Sequence, residues 1–163
     1  MGKLFAFEKE QKVFDICGVK VGGQPGEYPT VLVGTIFYDR HKIVSDQLKG
    51  IFDKGKAEEL LNKQDEMSDK TGNPYIVDVV GSTSEALIKF IDFVASEIDG
   101  PFLVDSTLSS ARIEAFRHVA EVGLTQRAIY NSIESHVKDR DVSALKEIGV
   151  RSAVVLAFDP RNP

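Results

Sequence analysis

Cysteine is almost missing from this 163-residue chain. Cys17 stands alone, which excludes an internal disulfide and any metal cluster built on several thiolates. The three histidines, His41, His118 and His136, lie far apart and show none of the short spacings that zinc ligands use. No apolar run exceeds six residues, so the sequence offers neither a transmembrane helix nor the hydrophobic core of a signal peptide. The expected location is the cytoplasm, which leaves room for peripheral attachment to a membrane complex. Positive charge is also short: 20 Lys and Arg stand against 25 Asp and Glu, a net charge of −5. A nucleic-acid binder would show a basic face instead. What remains, 42% hydrophobic and 28% charged residues, is a globular composition with length for a single domain spanning 1–163.

The informative stretch is Pro101-Phe102-Leu103-Val104-Asp105-Ser106-Thr107. A short apolar run ends abruptly in polar residues and a helical pattern follows, as in a buried parallel strand whose C-terminal end opens onto a site. A carboxylate there is costly unless something pairs with it. The same grammar recurs in Arg127-Ala128-Ile129-Tyr130-Asn131-Ser132-Ile133, with Asn131 in the place of Asp105. It appears earlier in Tyr75 to Gly81 around Asp78, and again in Ala153 to Pro160, ending at Asp159. Four successive strands thus carry a polar residue near one end.

In chain order, Lys12–Ile16 and Val19–Val21 read as a hairpin turning at Gly18, part of a small N-terminal cap over 1–28. The Gly22-Gly23-Gln24-Pro25-Gly26-Glu27 run fits neither the dinucleotide fingerprint nor the P-loop spacing and reads as a sharp surface turn. Thr30–Tyr38 predicts the first apolar strand, with Thr35 near its far end, followed by a polar connection through His41 and Asp46. Asp53 is placed to cap a helix that closes at Gly72. Ser82 and Glu85 have capping-box spacing before the next helix. Ser109 or Ser110 is the expected cap of a third, with Ile113, Phe116 and Ala120 on its apolar face. The charged run Glu134–Asp141 reads as a solvated loop, and a short helix stopped by Gly149 precedes a last strand over Ser152–Phe158.

Strands starting near 31, 75, 102, 128 and 152, with helices between them, mean parallel βα units. They can close as a doubly wound open sheet or belong to an eight-stranded barrel. Polar residues on successive strand ends favour the barrel, since an open sheet gathers its ligand contacts at one switch point.

Several blocks, at matching spacing, carry a resemblance that runs from about Phe5 to Pro160. They are Gly22 to Gly34, Lys70-Thr71-Gly72-Asn73-Pro74-Tyr75, Phe102 to Thr107 and Arg127 to Ser132. Together they closely resemble the H subunit of tetrahydromethanopterin S-methyltransferase, of the methyltetrahydropterin–corrinoid methyltransferase family. The resemblance implies an α/β fold, a TIM (β/α)8 barrel of the pterin-binding type, present here as about the first five βα units over 29–163. It implies a methyltransferase of methanogenesis and one-carbon metabolism. The N5-methyl group of methyl-tetrahydromethanopterin would pass to cob(I)alamin, a cobalamin carried by a separate corrinoid protein. A homodimer at full length is part of the same expectation. By motif, Asp105 and Asn131 become pterin contacts; Asp78 lies on the matching strand, with its alignment open by one residue.

The residue types suit that role. A pterin edge offers an amide-like N–H and an amino group, which a carboxylate can accept together, while an asparagine donates and accepts. Cobalt's nucleophilicity belongs to the cofactor, so the protein's part is to orient the methyl group and stabilise charge at N5. The family's chain is about twice as long, and its further aspartate and the asparagine nearest N5 come from later strands, without counterparts here. The chain therefore reads as an N-terminal half, inactive by itself. Two alternatives stand beside the enzyme: a non-catalytic pterin-binding or docking half-barrel completed by another chain, and a dihydropteroate-synthase-like barrel. For Asp105 the plain alternative is a strand-end residue capping the next helix.

Overall fold

The computed structural model describes residues 5–158; Asp159, one of the strand-end residues singled out above, lies outside them. The chain begins with a two-stranded antiparallel hairpin, β1 (Val13–Ile16) and β2 (Val19–Gly22). Its two-residue turn places Cys17 and Gly18 both at positive φ (50° and 84°), the arrangement whose twist matches paired strands. Then come β3 (Leu32–Ile36), a second small hairpin of β4 (Val44–Asp46) and β5 (Ile51–Phe52), and α1 (Lys54–Thr71). Regular alternation follows: β6 (Tyr75–Val80), α2 (Ser84–Glu97), β7 (Phe102–Asp105), α3 (Ser109–Glu121), β8 (Ala128–Ile133), α4 (Asp139–Ile148) and β9 (Ser152–Val155).

The five-stranded sheet has the order β3-β6-β7-β8-β9, every pair parallel. Spatial order follows chain order with no reversal. A doubly wound sheet requires a reversal, because its crevice lies where the order turns back, so that alternative is excluded for the described residues. Period-two alternation sorts the side chains onto two faces. Val77, Val79, Phe102, Val104, Ala128 and Tyr130 turn toward the helices, where they pack with Leu61 of α1, Phe90 and Val94 of α2, Phe116 of α3 and Leu145 of α4. Ile76, Leu103 and Ile129 form the opposite, inner face, where Ile16, Val19 and Val21 of the first hairpin cover them. Helices on one face only, with sequential parallel strands, form the wall of a βα array rather than a three-layer sandwich.

Several local features differ from expectation. The first strand is shorter than Thr30–Tyr38 because Phe37 adopts φ 64° and turns into the core. There it is fully buried, stacks on Phe90 with centroids 4.3 Å apart, and meets Phe52 edge-on. Its backbone N–H donates to His41 Nδ1 and its carbonyl accepts from the Gln47 amide, which together hold the unusual conformation. The connection read as polar is thus the β4–β5 hairpin with a buried aromatic anchor. Asp53 caps α1 as expected, accepting from the Lys56 N–H, and Gly72 ends it at φ 72°. The cap of α2 is Thr83, not Ser82: its hydroxyl accepts from Ala86 N–H and also donates to the Leu48 carbonyl, tying the helix start to the small hairpin. Neither Ser109 nor Ser110 caps α3; Leu108 holds that position without a side-chain bond. Gly81 lets β6 approach α2 closely, since a Cβ there would lie 2.8 Å from Leu87 Cα.

Candidate functional site

Strand register decides which polar residues meet. Asp105 pairs directly with Asn131 across β7 and β8, and with Val80 on β6. Asp78 pairs with Thr35 on β3 and Leu103 on β7, one layer closer to the sheet's floor. All four polar side chains belong to the inner face by alternation, at the C-terminal ends of their strands. Asp105, Asn131 and Asp78 therefore converge on one patch of the sheet. Thr35, a strand-end residue without a legible role in the sequence, donates its hydroxyl to Asp78 Oδ2 at 3.0 Å.

The electrostatics of this patch are unusual for carboxylates. Asp78 is 7% exposed, and burial pushes its carboxyl above the ordinary range. The Thr35 hydroxyl pulls it partly back and the Asn131 side chain does so more weakly, yet Oδ1 meets no partner within hydrogen-bond geometry. Asp105 is half-buried and also pushed up, first by burial and then by the Asp78 charge, with Glu134 adding a smaller push. The Arg112 guanidinium and the Ser106 N–H act against that rise. Asp105 makes no cap for α3, so the plain structural reading of this residue does not hold. Two carboxylates on neighbouring strands with spare acceptor capacity, and an amide on the next strand, can receive adjacent N–H donors of a planar heterocycle. The unpartnered Asp78 oxygen is what such a donor would satisfy.

The side of the patch that faces α3 contains a residue that apolar patterning does not reveal. Arg112 lies in the first turn of α3, only 6% exposed. It donates to the Ser106 carbonyl and, at 3.5 Å, to the Ser132 carbonyl, and it lies over the Tyr130 ring with 5.1 Å to the centroid. The buried stripe of α3 is Ala111, Arg112, Ala115, Phe116 and Val119, one residue round from the Ile113, Phe116 and Ala120 face expected from apolar residues alone. That helical spacing was the available signal, since positions 112, 115, 116 and 119 share one face. The charged run after β8 is not simply solvated: Glu134 approaches Arg112 Nη2 at 3.8 Å and His136 Nε2 at 2.8 Å, and Asp141 is buried. Arg127, at the start of the second motif, donates to the carbonyls of Ala95, Ile98 and Gly100 and so fastens the C-terminal end of α2.

Below the polar patch the inner face is apolar and open. A groove of about 700 Å³ runs between the hairpin and the sheet, floored by Ile76, Leu103 and Ile129 and reaching Val154 on β9. Among the described residues no group of three or more His, Cys, Asp or Glu is arranged to hold a metal ion. No helix among them is long and apolar enough to cross a membrane.

Comparison with known proteins gives the chain its family. The profile of the family described as "Tetrahydromethanopterin S-methyltransferase MtrH subunit" matches residues 9–163. The H subunit of tetrahydromethanopterin S-methyltransferase from Methanopyrus kandleri is 55% identical over 154 residues, covering 94% of this chain and 48% of that protein. The H subunits from Methanothermobacter thermautotrophicus and Methanocaldococcus jannaschii are 52% and 53% identical over 160 residues, each covering 98% of this chain and 52% and 50% of their own length. The chain spans about half the length of the curated relatives it matches. By the family profile and by identity along almost its whole length, the chain belongs to the MtrH family, that of the H subunit of tetrahydromethanopterin S-methyltransferase.

Proposed function

We propose that this chain forms the pterin-holding half of a methyltransferase that passes the N5-methyl group of methyl-tetrahydromethanopterin to cob(I)alamin on a corrinoid-carrying partner. The observation that carries the proposal is the convergence of Asp78, Asp105 and Asn131 on one face at the C-terminal strand ends, the end where parallel βα arrays place their sites. Asp105 and Asp78 accept the ring N–H and amino donors of the pterin, and Asn131 both donates and accepts. The elevated carboxyls fit this use, because a ligand's donors supply hydrogen bonds that favour the charged form of each group.

The corrinoid supplies the cobalt nucleophile when its carrier docks. The chain's own residues would fix the orientation of the ring and exclude water from its buried side. Stabilisation of N5 as it loses the methyl group falls to residues of the completing half, as the resemblance implies.

In this reading the domain over 1–163 is one unit, with a cap segment 1–28 whose β1–β2 hairpin plugs the floor, and 29–163 supplying the first five βα units of a TIM barrel. Two features support the need for a completing segment. The inner groove leaves Val33 and Val154 exposed, and among the described residues β3 and β9 each pair on one side only. Unpaired edges of that kind demand a cover. We place the full-length protein as a homodimer on the periphery of a membrane complex, in the one-carbon chemistry of methanogenesis. The same open groove favours, as the second reading, a pterin-docking half-barrel that another chain completes.

The test is methyl transfer by the full-length protein from methyl-tetrahydromethanopterin to cob(I)alamin, free or on its carrier, followed by loss of the cob(I)alamin absorbance. Transfer that falls at least about a hundredfold in Asn131→Ala supports the enzyme reading. Pterin binding with no transfer under any corrinoid condition selects the docking reading, and no pterin binding refutes both.

A further inference from the structure

The buried guanidinium of Arg112 has no part in the scheme above, yet it stands where it can govern both motif residues. Ser106 directly follows Asp105 and Ser132 directly follows Asn131, and one side chain donates to both of their carbonyls. These strand ends are register partners on adjacent strands, so a single cation spans the gap between β7 and β8 beyond the last ladder pair. Burial of a charge needs strong compensation. Here it comes from two carbonyls, the Tyr130 face and the Glu134 carboxylate. Nε has no partner, so the side chain is held by its two terminal nitrogens alone, on the helix side of the sheet. Asp105 and Asn131 project from the other side.

We infer that Arg112 is a positioning residue for the ligand site, bridging the backbone that follows Asp105 and Asn131 so that their side chains keep one spacing on the inner face. The inference rests on the pterin reading of those two residues. It has a mechanical and an electrostatic component. Mechanically, the fork of the guanidinium matches two carbonyls on separate strands, which the point charge of a lysine ammonium cannot bridge in the same way. Electrostatically, four charged or polar influences face Asp105: Asp78 from β6 and Glu134 from beyond β8 push its carboxyl up, while Arg112 from α3 and the Ser106 N–H pull it down. Removing Arg112 leaves only the Ser106 N–H against burial and two like charges. The carboxylate that must accept from the pterin would then be protonated over more of the pH range.

The experiment is equilibrium binding of methyl-tetrahydromethanopterin to the full-length protein as a function of pH, for the wild type, Arg112→Gln, Arg112→Lys and Asp105→Ala. In Arg112→Gln, affinity near neutral pH falls about tenfold or more, and the acid limb of the binding profile moves to higher pH. Arg112→Lys restores the limb toward its wild-type position but not the affinity, separating charge from the two-carbonyl bridge. A purely structural role would lower the melting temperature without moving that limb. Wild-type affinity with an unmoved limb in Arg112→Gln overturns the inference. Should Arg112→Gln fail to fold, Arg112→Lys decides: wild-type affinity there overturns the bridging role. Absence of binding by the wild type, or full binding by Asp105→Ala, refutes the underlying pterin reading and takes the inference with it.

Discussion

Replacing Asp78 by asparagine separates what the fold wants from what a ligand wants. Asp78 is 7% exposed, its Oδ2 accepts from Thr35, and its Oδ1 is unpartnered. A buried polar group left unsatisfied costs about 1–3 kcal/mol, and more when charged. The asparagine has nearly the same volume, keeps an acceptor for Thr35, and removes both the buried charge and its repulsion with Asp105. After allowing for the retained bond and for an amide group that is itself imperfectly paired, a net stabilisation of about 1 kcal/mol remains. That corresponds to about 2–4 °C in Tm for a chain of this size. The pH dependence fixes the sign. The folded-state carboxyl lies above its unfolded value, so the fold binds the proton more tightly and stability falls as pH rises from about 4 through the folded value. Asp78→Asn lacks this fall, so the two proteins converge near pH 4 and separate toward pH 7. Urea or thermal unfolding at both pH values reads the difference, and pterin titration should show weaker binding, because an amide N–H then faces the ligand's donors. Destabilisation of Asp78→Asn by 1 kcal/mol or more at pH 7, on the order of the cost above, would refute the reasoning: the charge would then be structural.

Other perturbations probe the scaffold. Arg127→Ala strips donors from three carbonyls at the end of α2, and about 2–3 kcal/mol of stability goes with them in denaturant unfolding; unchanged stability would mean that water replaces the guanidinium without loss. His41 accepts from the Phe37 N–H, and burial holds its pKa below the ordinary value. The fold then binds fewer protons than the unfolded chain, so stability drops as pH falls below about 6.5. His41→Gln should flatten that part of the stability profile; an identical profile in the variant would assign the drop elsewhere.

The strand-end placement of Asp105 and Asn131 was legible because an apolar run that stops at a polar residue reports both burial and the strand's open end. Asp78 was legible only as a candidate. Its depth depends on the stagger between β3, β6 and β7, which comes from pairing rather than from any local pattern. The strand-end residues favour barrel-like over doubly wound order, and the described sheet is sequential and without the reversal that doubly wound order needs. Caps failed for a different reason. Ser82 and Thr83 both offer a hydroxyl, and the contact of Thr83 with Leu48 on a distant hairpin selects between them. That hairpin was itself hidden, since two- and three-residue strands carry too little periodicity to see. Apolar patterning does not reveal Arg112, because a guanidinium can be buried wherever carbonyls converge.

The central claim, that the strand-end residues grip a pterin, is tested most directly by titrating methyl-tetrahydromethanopterin into the full-length protein and its Asp105→Ala variant at neutral pH. Loss of charge-assisted hydrogen bonds worth about 1.5–3 kcal/mol predicts affinity weakened roughly 10- to 100-fold, with the fold intact by circular dichroism. Equal affinity in the two proteins would contradict the account and remove Asp105 from the site.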